Sequence, residues 1–174
     1  MKELLRYGER FIGAKYTLWT CDEQSTNQTP YPFYIDSIPS IEYAKKYGMN
    51  CAGFINILRL RTGKSIPGEG KWRGGTESWY NYLNNNNLLT SFDYRINYPI
   101  GALLVRKYRG VCDQGHVAVI HSKSEDKYLD DTIIHSYNEN SGGKVGISSL
   151  GYSHYSIPGG FYEYISLPHD WLYK

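Results

Sequence analysis

The residue with the most chemical potential in this chain is Cys51, placed where an irregular segment passes into an apolar run, Cys51-Ala52-Gly53-Phe54-Ile55-Asn56-Ile57-Leu58. Phe54, Ile55 and Leu58 follow it at helical spacing, so the thiol belongs to the first turn of a helix. Backbone N–H groups there lack intrahelical partners, and the positive end of the helix dipole adds to their effect. With a histidine nearby, such a site draws a thiol from about 8.5 into the range of roughly 3.5–7.5. The alternative is a small buried hydrophobe. What decides between them is a base for the thiol and a partner for the base. Five histidines are available. His116 opens a strand just after Gly115, and His135 occupies the corresponding place in the next strand. With a period of two, His116 shares a face with Ala118 and Ile120, and His121 points the other way. His154 and His169 fall in turn-rich or terminal segments. Cys112-x-x-x-His116 is half of a zinc pattern, but the second ligand pair is missing, so no metal and no cofactor are expected.

The elements that must hold these residues fall in two blocks. Residues 3–12 read as an amphipathic helix, followed by an aromatic stretch through Tyr16 and Trp19. Residues 21–40 form a long irregular loop with Pro30, Pro32 and Pro39. The cysteine helix runs over 51–62, and a further helix over 77–83. From residue 100 the pattern becomes strands: 100–105, 116–121, 132–137, 144–147 and 160–165, with Pro168 ending the last. Helices first and an antiparallel sheet of about five strands after make an α+β layout in one domain, 1–174.

Composition narrows the partners. The chain has 174 residues, 41% hydrophobic and 16% aromatic, with 18 tyrosines and 18 glycines. That is enough for one well-filled core. A net charge of +2 argues against a dedicated nucleic-acid binder. Three widely spaced cysteines, Cys21, Cys51 and Cys112, leave at least one thiol free. No secretory signal and no membrane-length apolar stretch are visible, so cytoplasmic or particle-associated placement is expected over classical secretion. A monomer is compatible with this composition.

Several segments taken together resemble one family. Asn50-Cys51-Ala52-Gly53-Phe54, Gly101-Ala102-Leu103-Leu104, Gly115-His116-Val117-Ala118-Val119 and Ile133-Ile134-His135-Ser136 look like the NlpC/P60 cysteine peptidases, in that order along the chain. Lys15-Tyr16-Thr17-Leu18-Trp19 echoes the family's upstream aromatic segment. The resemblance overlaps with the related CHAP amidases. It implies a permuted papain-like fold, with N-terminal helices packed on the sheet and a loop insertion at 21–47. It implies Cys51 as nucleophile, His116 as base and His135 as the third, orienting residue. In the CHAP pattern Asn138 or Glu139 would take that third place. Tyr16 would help hold the oxyanion, with Trp19 and Asn50 beside the substrate. Asn50 and Ala52 stand where the family has aspartate and serine, which alters the pocket that receives the substrate.

The activity implied is hydrolysis of an amide bond through an acyl-enzyme, on peptidoglycan stem peptides or similar. Acyl transfer or protein processing by the same triad is a second reading. A non-catalytic module gripping a peptide or glycan with Tyr16, Trp19 and the tyrosines of 31–47 is a third.

Overall fold

The computed structural model describes residues 1–17, 33–70, 73–110, 113–125, 127–137, 143–155 and 161–174. Four helices come first: α1 (Lys2–Glu9), α2 (Ile41–Tyr47), α3 (Cys51–Arg61) and α4 (Thr76–Asn85). Strands β1 (Thr90–Ser91), β2 (Leu103–Arg106), β3 (His116–Ser122), β4 (Thr132–Tyr137) and β5 (Lys144–Ser149) follow. Helix α5 (Leu150–Tyr155), strand β6 (Tyr164–Ser166) and helix α6 (Pro168–Tyr173) complete the chain. The protein is α+β, with one open antiparallel sheet of six strands in the order β1-β6-β2-β3-β4-β5.

Both faces of the sheet are covered, which is why β2, β3 and β4 read as nearly continuous apolar runs instead of alternating ones. Leu103, Val105, Val117, Val119, Ile134 and Val145 pack with α3 and its neighbours on one face. Leu104, Ala118, Ile120, Ile133 and Ile165 pack with Tyr98, Leu150 and Tyr162 on the other. Helix α3 lies across β3 and β4 and is buried on every side from Cys51 to Arg59. Phe54, Ile55, Ile57 and Leu58 are fully enclosed, each contributing roughly 1.5–3 kcal/mol of burial.

Two polar residues of α3 share that burial because their hydrogen bonds are met. Asn56 donates to the carbonyls of Phe33 and Gly74 and accepts from Trp79 Nε1. Arg59 donates to the carbonyls of Ser65 and Trp171, and its guanidinium lies against the rings of Trp79 and Tyr82. Together they tie α3 to α4 and α6.

The architecture departs from the sequence reading in three places. The sheet has six strands, the extra one being the two-residue β1 paired with β6. Residues 150–155 form a helix, and Pro168 starts α6 where it was read only as a strand terminator. Proline's fixed φ suits the first turn of a helix as well as it ends a strand. Of the expected insertion at 21–47, residues 33–47 are described and carry α2, whose start is capped by Ser40; 21–32 lie outside the described residues. No described helix is long and apolar enough to cross a membrane.

Candidate active site

Cys51 is the first residue of α3, and the chain enters the helix through an Asn50 cap. The Asn50 side chain accepts from the Gly53 N–H at 2.7 Å, which fixes the first turn and leaves the Cys51 and Ala52 N–H groups turned toward the thiol. Upstream, Gly48 has φ 82°, and a Cβ there would collide with Thr17 Oγ1 and the Lys15 carbonyl. That close approach lets the Lys15–Thr17 segment hydrogen-bond alongside Met49, with Met49 N to Lys15 O at 2.9 Å and Thr17 N to Met49 O at 3.1 Å. Tyr16 is thereby held next to the cysteine. Ser136 of β4 donates to the Met49 carbonyl at 2.9 Å, locking the helix entry to the sheet.

His116 begins β3, a strand inside the sheet, so it stands at the end of the sheet and not along its lateral edge. Gly115 before it has φ 73°, and a Cβ would meet the Arg106 carbonyl at 2.5 Å and Thr76 Cγ2 at 2.7 Å. Only glycine allows β3 to start that close to β2 and α4. The pairing of Val119 with Ile134 and Ile120 with Ile133 puts His135 on the same face as His116, one diagonal step away. His116 Nε2 and His135 Nδ1 are 2.8 Å apart. The His135 ring stacks on Tyr137 at 4.6 Å, and its Nε2 lies 2.9 Å from Ser148 Oγ on β5. Because His116 uses Nε2 for this contact, Nδ1 is left to exchange protons with a reacting group. The thiol meets the same strand one residue on: Cys51 Sγ accepts from the Val117 backbone N–H.

Burial dominates the electrostatics. It pushes the Cys51 thiol up, opposed by the N–H groups of Val117, Ala52 and Cys51 and by the Thr76 hydroxyl, 3.9 Å from Sγ. His116 is pushed down to about 3 by burial and then by the Arg106 guanidinium directly opposite it in β2. His135 is lowered by burial and by His116. The resting state is therefore a neutral thiol beside neutral imidazoles. This corrects the expectation of a thiolate at the helix start: the helix N–H groups act as anticipated, but desolvation outweighs them. Tyr16 is raised by burial and by the proximity of Cys51, as is Tyr162 on the far side.

A pocket opens on the cysteine. Tyr16, Phe33 and Tyr108 give it aromatic walls, Asn50, Thr76, Glu77 and Gln114 give it polar groups, and Cys51, Gly75 and Gly115 complete the lining. Cys51 and His116 are 5% and 6% exposed, so the chemistry would take place in a nearly dry site. Asn50 lines this pocket while its carbonyl oxygen caps α3. Trp19, Asn138, Glu139, Cys21 and Cys112 lie outside the described residues. His121 pairs with Glu9 at 2.7 Å, away from this cluster, as its opposite facing required.

No protein-family model matches the chain, and no curated protein sequence matches it significantly.

Thr76 and Ser148 are among the members of the site that were not legible beforehand. Thr76 follows a glycine-rich loop and Ser148 lies just past the strand read at 144–147, inside β5; neither type nor spacing marks them, since each gains its place only when α4 meets α3 and β5 meets β4.

Proposed function

We propose that this protein is a cysteine-dependent amidase or peptidase, built on a permuted papain-like fold of the NlpC/P60 kind, that works through an acyl-enzyme. The observation that carries the reading is the 2.8 Å contact between His116 and His135 beside a cysteine at a helix start. A nucleophile, a base and an orienting partner are the three parts such chemistry needs.

In this reading His116 Nδ1 takes the Cys51 proton as the sulfur attacks the scissile carbonyl. The same nitrogen then protonates the leaving amine. The Cys51 backbone N–H and the Tyr16 hydroxyl are the donors for the oxyanion. Water, with His116 again as base, releases the acyl group. The substrate class, peptides of the cell-wall stem type, comes from the family resemblance alone.

The test is digestion of purified peptidoglycan and of synthetic stem peptides, with products identified by mass spectrometry. Wild type is expected to cut an amide bond and to carry a thioester adduct at Cys51 under acid quench. Cys51→Ala should do neither. Equal product release by both proteins would sink the reading, and products bearing an added amine in place of water would make the enzyme a transferase.

A further inference from the structure

The hydrogen-bonded chain does not stop at the two histidines. Ser148 stands opposite Ile133 in the β4–β5 register, on the face that His135 occupies, and its Oγ is 2.9 Å from His135 Nε2. His116 and His135 are almost sealed from water, whereas Ser148 is only half-buried. We propose that Ser148 is the solvent end of a proton relay running Ser148–His135–His116 toward Cys51. This rests on the peptidase reading for its purpose, though not for its existence.

The single proton in the His116–His135 contact allows two arrangements. With the proton on His116 Nε2, His116 Nδ1 is bare and basic, and His135 Nε2–H donates to Ser148. With it on His135 Nδ1, His116 Nδ1 carries a proton it can give away, and the Ser148 hydroxyl donates to His135 Nε2. A hydroxyl serves both arrangements because it donates and accepts; a carboxylate in its place would fix one. Arg106 from β2, Tyr162 near β6 and Tyr137 from β4 are the ionisable groups facing the two rings, and the Cys51 sulfur meets β3 one residue on, at the Val117 N–H. Among the described residues no carboxylate bonds to either ring, and the one cation opposite, Arg106, opposes any positive charge on His116.

A proton taken from the thiol therefore gains by moving outward. As Nδ1 of His116 accepts it, Nε2 passes its own to His135 Nδ1. His135 Nε2 passes one to Ser148 Oγ, whose hydroxyl proton leaves to water. His116 is then neutral with its proton on Nδ1, ready for the leaving amine, and the return of a proton through Ser148 restores the first arrangement. Every bond broken to hydrogen is matched by one formed.

The test uses the isosteric pair Ser148→Val and Ser148→Thr. Ser148→Val should lower kcat roughly ten-fold or more with KM unchanged, the scale of a proton-transfer contribution, while Ser148→Thr stays within about two-fold of wild type because the hydroxyl is kept. Independently of turnover, ¹⁵N NMR should show the imidazole N–H protons of His135 exchanging with water faster in wild type than in Ser148→Val. Equal exchange in the two proteins overturns the relay, as does a threonine variant as impaired as the valine one. If no peptide is cut even by wild type, the peptidase reading falls, and the exchange comparison still decides the relay.

Discussion

His116 Nε2 meets His135 Nδ1 at 2.8 Å, and this contact is set by strand register: with Val119 opposite Ile134, the two rings fall on one face at a diagonal. The contact dictates which nitrogen of His116 is available for chemistry. Removing the His135 ring leaves His116 free to rotate and to adopt the wrong tautomer. His135→Ala is expected to lower kcat by roughly 10²-fold or more with little change in KM, measured by steady-state kinetics on a cleaved stem peptide. His135→Asn, which keeps one hydrogen-bonding partner, should fall between. Unaltered kcat in the alanine variant would remove His135 from the machinery.

Burial of two neutral imidazoles makes stability depend on pH, and the sign follows from which state binds protons. Above about 6.5 neither folded nor unfolded chain protonates these groups, so they add no slope. As pH falls below that value the unfolded chain takes up protons, whereas folded His116 resists until about 3 and folded His135 resists as well. Stability is thus lost on acidification, by up to about 1.4 kcal/mol per pH unit for each histidine. Urea midpoints should drop between pH 7 and pH 5, and His116→Gln should flatten that drop. A midpoint that holds level over this interval in wild type would contradict the buried neutral pair.

The thiol shifts in the opposite direction. Because burial raises Cys51, iodoacetamide alkylation should keep accelerating with pH beyond the range, about 8.5, in which a free thiol titrates. A rate that has already levelled off by pH 6 would mean a resting thiolate and a different charge balance with His116.

Tyr16 is placed by the backbone hydrogen bonds that its neighbours Lys15 and Thr17 make to Met49 and by its own N–H to the Gly143 carbonyl, and it lines the pocket with Cys51. Its hydroxyl is not needed to hold the fold, so Tyr16→Phe isolates its chemical role. Loss of one oxyanion donor predicts a fall in kcat of roughly 10²–10³, with thermal unfolding unchanged. A fall in stability without a selective loss of kcat would reassign Tyr16 to packing.

What the chain disclosed beforehand and what it withheld follow a physical division. The places of Cys51, His116 and His135 were legible because local periodicity fixes a helix start and the facing of strand residues, and both survive folding; the roles given to them came from the family resemblance. The same periodicity put His121 on the opposite face, where it bonds to Glu9. The state of the thiol was not legible, since helix N–H groups are local while desolvation depends on how tightly β3, α4 and α3 close around it. Nor did the apolar stripe of α3 announce that the helix is enclosed on every side. Asn56 and Arg59 look like solvent-facing residues until Trp79, Phe33 and Trp171 supply their partners. Pro168 was ambiguous because one φ value fits both the end of a strand and the start of a helix.

Asn56 offers the clearest separation of scaffold from chemistry. Its amide bonds to the Phe33 carbonyl at 2.7 Å, the Gly74 carbonyl at 3.0 Å and Trp79 Nε1 at 2.7 Å, all inside the core. Leucine of similar size would take this partner from the buried Gly74 carbonyl and Trp79 indole N–H, at about 1–3 kcal/mol each. Asn56→Leu should therefore destabilise the protein by roughly 2 kcal/mol or more, read from urea denaturation. The same bonds hold the loop ahead of α4, two residues before Thr76, whose hydroxyl faces the thiol. Near neutral pH and low temperature, where the variant stays folded, its Cys51 should alkylate faster than in wild type as α4 loosens and water reaches the sulfur. Unchanged alkylation together with the expected loss of stability would show that α4 is held over the thiol by other contacts.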